Sequence, residues 1–398
     1  MNAGALAGLK VVDISTIVAG GMASSMLADH GADVLKIEDP RAGDPARTLN
    51  PLKDGISLWH RVSGRNKTAL SLNLGKPEGA EILLRLVKDA DILIENFRPG
   101  TLEKWGLGWD KLKAANPKLV LLRISGFGQD GPYSNRPGFG TVAEGLSGLA
   151  MRTGPANGAP ALASLPLADN ITGLFGAFAV MFAIYNRDHG NGRGQMIDIS
   201  LYEPLFRILE DQVLSFDQLG RIPQRMGNRL PGAAPRGAFE TSDGRWIAIA
   251  VSSEKTAQRL LIAVGGEGLA NDPRFNTNAE RFRNADALEA IIADWIGARE
   301  ADDVLGIFER GDVVAIELFD IAQIFQDPHV LARGNIIDVE DPTLGNARVP
   351  GVVPKFSETP GEVRHLSRPL GSDNDEVYRA TLGFTAEQIS ALRANGVI

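Results

Sequence analysis

The chain of 398 residues contains no cysteine, which excludes disulfides, thiolate nucleophiles and cysteine-ligated zinc and removes any need for an oxidising compartment. Histidine is nearly as scarce: His30, His60, His189, His329 and His365 never stand three or four residues apart, so no helical metal-binding pair exists. The nucleophile elbow G-x-S-x-G and the phosphate loop G-x-x-x-x-G-K with Ser or Thr are both missing, and with them the simplest serine-hydrolase and nucleotide-hydrolysis readings. Positive charge is not in excess either. A net charge of −8 argues against a general nucleic-acid surface and leaves only local basic pockets for phosphates. The longest apolar run, Ile171 to Tyr185, is shorter than the roughly 20 residues that span a bilayer and carries Gly173 and Gly176; a buried helix and no membrane partner are expected from it. The opening residues, Met1 to Lys10, show no charged stretch leading into an apolar one, so a cytoplasmic location is expected.

What is present reads as an ordinary globular chain, 44% hydrophobic and 23% charged, long enough for two domains. Its first half repeats strand, helix, strand. Leu9–Ile14, Asp33–Glu38, Asp91–Glu95, Leu119–Ile124 and Gln195–Ser200 are apolar, β-rich runs, and between them lie helical patterns at Ala23–His30, Lys76–Lys88, Leu102–Ala115, 142–150 and 170–186. Near-continuous apolar strands separated by helices predict an α/β fold with a parallel sheet covered on both faces. Pro, Gly and Arg crowd residues 221–237, as in a linker. Beyond it, Ser242-Asp-Gly244 between two β-rich runs predicts a hairpin, because Asp-Gly tolerates positive φ, and helical segments at 255–264, 279–297 and 301–310 complete a small α+β domain over 238–330. The expected plan is therefore a large domain over 1–220, the linker 221–237, the small domain 238–330 and a C-terminal return, 331–398.

Two glycine motifs lack the setting that dinucleotide binding needs. Gly126-Phe-Gly128-Gln-Asp-Gly131 follows a strand but runs into Pro132 and a polar loop, and Gly138-Phe-Gly140-Thr-Val-Ala143 precedes a helix but follows no strand. In an open parallel sheet, ligands bind beyond the carboxyl ends of the strands, which here carry Ser15–Ala19, Glu38–Arg41, Asn96–Arg98 and Ser125–Gly128. Nearby cations, Arg41, Arg47, Arg65, Lys67, Arg98, Lys104 and Arg136, are either solvated charges or partners for phosphates. Asn96 and Phe97 are either a turn with a core ring or an amide and a ring that hold a ligand. Asp169, in Leu165-Pro-Leu-Ala-Asp169-Asn-Ile, has two readings as well. It is a helix N-cap kept ionised by the helix dipole, or a partly desolvated carboxylate able to attack an acyl carbon. Gly173 and Gly176 each cost about 1 kcal/mol against Ala within a helix, so a close neighbour is expected on its first turns.

Asp33-Val-Leu-Lys-Ile-Glu38 with Gly43-Asp44 and Arg47, Ile94-Glu-Asn-Phe-Arg-Pro-Gly100, Ile124-Ser-Gly-Phe-Gly-Gln-Asp-Gly-Pro132, Asp169 with Gly173, Gly192-Arg-Gly-Gln195 before Asp198-Ile-Ser-Leu201, and Pro369-Leu-Gly371 occur in one order along the chain. Together they resemble the class III CoA-transferases, the CaiB/BaiF family, over essentially the whole length. The resemblance implies a Rossmann-like large domain with its parallel sheet built from N- and C-terminal parts, a small α+β domain, and a homodimer of interlocked chains. It implies Asp169 as the covalent catalyst, and Val18, Ala19, Arg41, Lys67, Asn96, Phe97, Arg98, Lys104, Gly126 and Arg136 as CoA-binding. Gly138, Gly140 and Glu144 fall near substrate and oxyanion. CoA thioesters come as substrates; no resident cofactor or metal is implied. Thr16 and Val18 stand where formyl-transferring members have His and Gln, and Gly140 where an acid or amide is expected. The stretch Arg136–Glu144 is closer to members that use succinyl-CoA and C4–C5 dicarboxylates. Two other readings share these features. An α-methylacyl-CoA racemase needs a second acid/base where this chain has Phe139, which transfers no proton, and a non-catalytic CoA-binding protein would leave Asp169 as a cap only.

Overall fold

The computed structural model describes residues 4–398 and divides into two compact units. The first runs from the start of the described residues to Leu149, with Leu162–Gly220 and Ala332–Ile398; the second comprises Ala150–Ala161 and Arg221–Leu331.

The first unit is organised by six parallel strands, β1 (Lys10–Asp13), β2 (Asp33–Glu38), β3 (Lys67–Ser71), β4 (Ile92–Glu95), β5 (Val120–Ser125) and β6 (Met196–Ser200), in the order β3-β2-β1-β4-β5-β6. This is the Rossmann strand order, which reverses direction between β1 and β4 and opens a crevice there at the carboxyl ends. Alternation of side chains along each strand sorts the apolar residues into two layers. Val12, Leu93 and Leu121 enter one core with Leu83 and Leu86 of α2 (Pro77–Val87). Val11, Ile92, Ile94, Val120 and Leu122 enter the other, with Ala23 of α1 (Ala19–Asp29) and Val180 of α4 (Leu167–His189). Each fully buried Leu or Ile contributes about 2 kcal/mol from area alone.

The C-terminal segment departs from expectation. It adds no strand to the parallel sheet, all six of which come from residues 10–200. Instead its side chains close the exposed edge of β3: Ala69 N–H donates to Asp373 at 2.7 Å and Ser71 N–H to Asn374 at 2.9 Å, while the Tyr378 hydroxyl donates to Ser71 O at 2.8 Å. Side-chain acceptors satisfy an edge as a neighbouring strand would, and they block further pairing. Tyr378, Ile389 and Val397 then fill the α2-side core. The strand-like pieces before this segment pair as an antiparallel hairpin, Ile336–Asp341 with Gly345–Pro350.

Helix α4 is longer than its apolar run suggests. At 23 residues it is long and apolar enough to cross a membrane by length and composition. One face packs at close range on α1, where a Cβ on Gly173 would lie 2.6 Å from both Ala19 O and Met22 Cβ, and on β5, where one on Gly176 would lie 3.0 Å from Leu122 Cδ2. The two glycines are the close-approach positions that the sequence predicts.

The second unit holds a three-stranded antiparallel sheet, β7 (Arg236–Glu240), β8 (Trp246–Ala250) and β9 (Ala315–Glu317), with β8 in the middle. The Asp243-Gly244 turn joins β7 to β8 as predicted, with Gly244 at φ 79°. Helices Glu254–Ala270, Ala285–Gly297 and Ala301–Arg310 cover the sheet through Leu260, Leu288, Ile292 and Val304, all fully buried.

Candidate active site

The crevice at the strand reversal is built by four segments. The β1–α1 loop brings Thr16 to Ala19, β4 leads into Asn96, β5 ends at Ser125 and leads into Gly126, and the first turn of α4 brings Asp169; together with Gly138 and Phe139 they line a cavity of about 110 Å³. Gly126 and Gly138 make this convergence possible. A Cβ on either would lie 3.0 Å from the Cα of the other, so the two glycine loops meet backbone to backbone. Helix α3 (Gly140–Ser147) starts directly after them. A Cβ on Gly140 would collide with Asp169 Oδ2, which explains why no acid or amide stands there: the carboxylate of Asp169 occupies that space.

Asp169 is not the N-cap that its sequence position suggested. Helix α4 begins at Leu167 behind Pro166, so Asp169 is its third residue and turns its carboxylate into the cavity. Nor does the helix hold its pKa down. Burial raises it to about 6; the residue's own backbone N–H works the other way, and the charge of Glu144 adds to the rise. No cation stands among those causes. The group is therefore mostly ionised at neutral pH yet poorly solvated, the combination that makes a carboxylate nucleophilic.

The cavity wall formed by the β1–α1 loop is held by a series of hydrogen bonds. Ser15 N–H donates to Asp13 Oδ1 at 2.9 Å, Thr16 N–H to Asn96 Oδ1 at 2.7 Å and Ile17 N–H to Asp44 Oδ1 at 2.9 Å. Thr16 O accepts from Asn96 Nδ2 at 2.7 Å, and Ser15 O accepts from Lys36 Nζ. Ile17 sits at φ 64°, a left-handed conformation that costs a β-branched residue about 1–3 kcal/mol. Behind it Asp13, Lys36, Asp44 and Lys67 form a buried charge cluster, with Lys36 Nζ 3.2 Å from Asp44 and Lys67 Nζ 3.4 Å from Asp13. Burial opposes ionisation of both carboxylates, but Lys36 acting on each, with Lys67 acting on Asp13, holds them below the usual range.

A second cavity, of about 290 Å³, adjoins the first at Thr16 and is lined by Arg41, Asn73, Phe97 and Trp105 among others. Phe97 and Trp105 meet edge to face at 5.0 Å, and the Phe97 N–H is fixed by buried Glu95 at 2.7 Å. Arg41 is exposed and paired with Asp39 at 2.6 Å.

Of the residues singled out from sequence, Val18, Ala19, Asn96, Gly126, Gly138 and Asp169 converge on the smaller cavity, and Arg41 and Phe97 line the larger. Glu144 is buried beside them, accepting Ala163 N–H at 3.0 Å. Arg98, Lys104 and Arg136 are exposed and line neither cavity; Arg136 lies over the Tyr133 ring at 3.7 Å. Lys67 leaves the CoA-binding set. It is 3% exposed and donates to Gly21 O at 3.0 Å and Ser24 Oγ at 2.7 Å, so a phosphate cannot reach it. Ile17, Asp44 and Trp105 were not singled out. For Asp44 the signal was in view, in the Glu38…Gly43-Asp44…Arg47 pattern, but a lone aspartate does not reveal which backbone it will hold.

The model of CoA-transferase family III matches residues 6–374. The chain is 41% identical over 397 residues to the succinyl-CoA–L-malate CoA-transferase beta subunit of Chloroflexus aurantiacus, covering 99% of this chain and 98% of that protein. It is 37% identical over 391 residues to succinyl-CoA–D-citramalate CoA-transferase of the same organism, covering 98% and 97%. A crystal structure of a CaiB/BaiF family protein from Brucella suis superposes with a TM-score of 0.85 at 34% identity, covering 96% of this chain and 100% of that one. With an acidic residue at the floor of a crevice at the sheet's reversal, and these likenesses over nearly its whole length, the chain belongs to CoA-transferase family III and is an enzyme of that class, acting on CoA thioesters.

Proposed function

We propose that the enzyme moves CoA from succinyl-CoA to a four- or five-carbon dicarboxylic acid through covalent intermediates on Asp169. The observation that carries this reading is the Asp169 carboxylate, aimed into the crevice cavity with no cation beside it among the described residues and a pKa raised to about 6. An ion-paired aspartate would be a poor nucleophile, and a capping one would be turned to its own helix.

In the first step an Asp169 oxygen attacks the thioester carbon. The tetrahedral intermediate collapses with loss of the CoA thiolate, leaving a mixed anhydride. The thiolate attacks the Asp169 carbonyl and releases succinate, giving an aspartyl-CoA thioester. An oxygen of the acceptor carboxylate then displaces the thiolate to form a second anhydride, and the thiolate attacks the acceptor's carbonyl, restoring Asp169 as a carboxylate. No proton or water is consumed, so the activated bond survives if the cavity stays dry. Each tetrahedral oxyanion needs N–H donors. The starts of α1 at Ala19 and of α3 at Gly140, with Gly138, border the carboxylate and supply candidates. The pantetheine arm runs past Thr16 and Asn96, and the nucleotide rests in the larger cavity against Phe97 and Trp105. Arg41, Arg98, Lys104 and Arg136 are the cations left to meet its phosphates.

The substrates are inferred from the relatives' names and from the stretch Arg136–Glu144. Incubation with succinyl-CoA should leave a CoA or succinyl adduct on the peptide containing Asp169, detected by mass spectrometry. Asp169→Ala should lower transfer by at least about a thousandfold, as removal of a covalent nucleophile does. Transfer at the normal rate by that variant would end the proposal. Deuterium uptake at the substrate α-carbon without transfer would point to a racemase, which Phe139 in the cavity wall disfavours.

We further propose a cytoplasmic homodimer of interlocked chains. Phe178, Phe182 and Tyr185 on α4 and Val213, Leu214 and Phe216 nearby in sequence are all more than half exposed, an apolar surface that a soluble enzyme covers by assembly.

A further inference from the structure

Among the described residues, Ile17 is the one β-branched residue of the four non-glycine positions with positive φ, and it lies on the wall of the cavity that holds Asp169. Nothing local favours that conformation. The Asp44 carboxylate accepts Ile17 N–H through both oxygens, at 2.9 and 3.2 Å. Asp44 is itself fixed: its own N–H donates to Glu38 at 2.8 Å, its carboxylate accepts Ala46 N–H at 2.9 Å, and Lys36 pairs with it at 3.2 Å while donating to Ser15 O. The residues that follow Ile17, Val18 and Ala19, open helix α1 and form the wall beside Asp169.

We propose that Asp44 is a positioning residue, holding Ile17 in its left-handed conformation so that the start of α1 is set against the acyl group during attack by Asp169. This rests on Asp169 acting as the nucleophile. Asp44 touches no reacting atom; it acts through the backbone of the β1–α1 loop. Without it, Ile17 relaxes to negative φ and the wall swings away.

The test is a double-mutant cycle on initial rates with succinyl-CoA. Asp44→Ala should lower kcat by about ten- to a hundredfold, the scale of a misplacement near 1 Å, with KM changed by less than about threefold if CoA binding is intact. Glycine adopts positive φ without strain, so Ile17→Gly should restore about fivefold or more of the rate to Asp44→Ala. Equal losses from Asp44→Ala with Ile or Gly at position 17 would overturn the proposal, because a residue needed only for stability is not rescued there. If Asp44→Ala does not fold, thermal unfolding of Ile17→Gly and Ile17→Ala decides: the glycine variant should melt higher, and an alanine variant of equal or greater stability refutes the strained conformation. Asp169→Ala is assayed alongside. If it is inactive while Asp44→Ala is normal, only the positioning role falls; if it is active, the nucleophile reading falls first.

Discussion

At the level of single residues, the proposed chemistry turns on one carboxylate whose environment opposes its charge. Between about pH 4 and pH 6 the folded protein keeps the Asp169 proton that an unfolded chain has released, so this group's contribution to stability falls as pH rises through that window. Above pH 6 the penalty is complete. Asp169→Asn should therefore be on the order of 1–2 kcal/mol more stable than the parent in urea unfolding at neutral pH, a figure reduced for partial solvent access, and no more stable below about pH 4. The same titration governs activity. In the free enzyme kcat/KM should fall about tenfold per unit on the acid side of pH 6, and a profile flat down to pH 4.5 would show that another form of Asp169 reacts. On the proposed mechanism the site gives up stability for reactivity.

Among the secondary elements, small residues decide how closely helices approach. Gly173 and Gly145 are both interior helix glycines, and propensity alone predicts that alanine would stabilise each by about 0.5–1 kcal/mol. Their surroundings differ. Nothing lies within 4 Å of a Cβ on Gly145, whereas one on Gly173 meets Ala19 O and Met22 Cβ at 2.6 Å. Gly145→Ala should show the full propensity gain in chemical denaturation. Gly173→Ala should instead lose about 1–3 kcal/mol, because α4 must move off α1, and with that movement Asp169 shifts relative to Ala19, so activity should fall in parallel. A stabilised, fully active Gly173→Ala enzyme would contradict the packing described.

For the molecule as a whole, the first unit leaves large apolar side chains uncovered, among them Phe178 at 67% and Phe182 at 66% exposure. The homodimer proposed above predicts a light-scattering mass of twice the chain, unchanged by dilution through the micromolar range. Replacing both phenylalanines with Asp should yield monomer or aggregate. A parent enzyme that is monomeric and soluble would leave that surface without its proposed cover.

The sequence by itself determined the parallel α/β layering, the Asp-Gly hairpin and the glycine contacts of α4, because each depends on local periodicity or on one residue's φ preference. It singled out Asp169, Asn96 and the two glycine loops through their order along the chain. Tertiary structure decided the rest. Only the strand order placed Asp13, Lys36 and Lys67 in one buried cluster, since neighbouring strands in a parallel sheet lie far apart in sequence. Only burial in the assembled crevice, with the charge of Glu144 from α3 adding to it, raised the pKa of Asp169 where its position in a helix promised the reverse, because burial acts through everything that surrounds a group and a helix terminus acts through one turn.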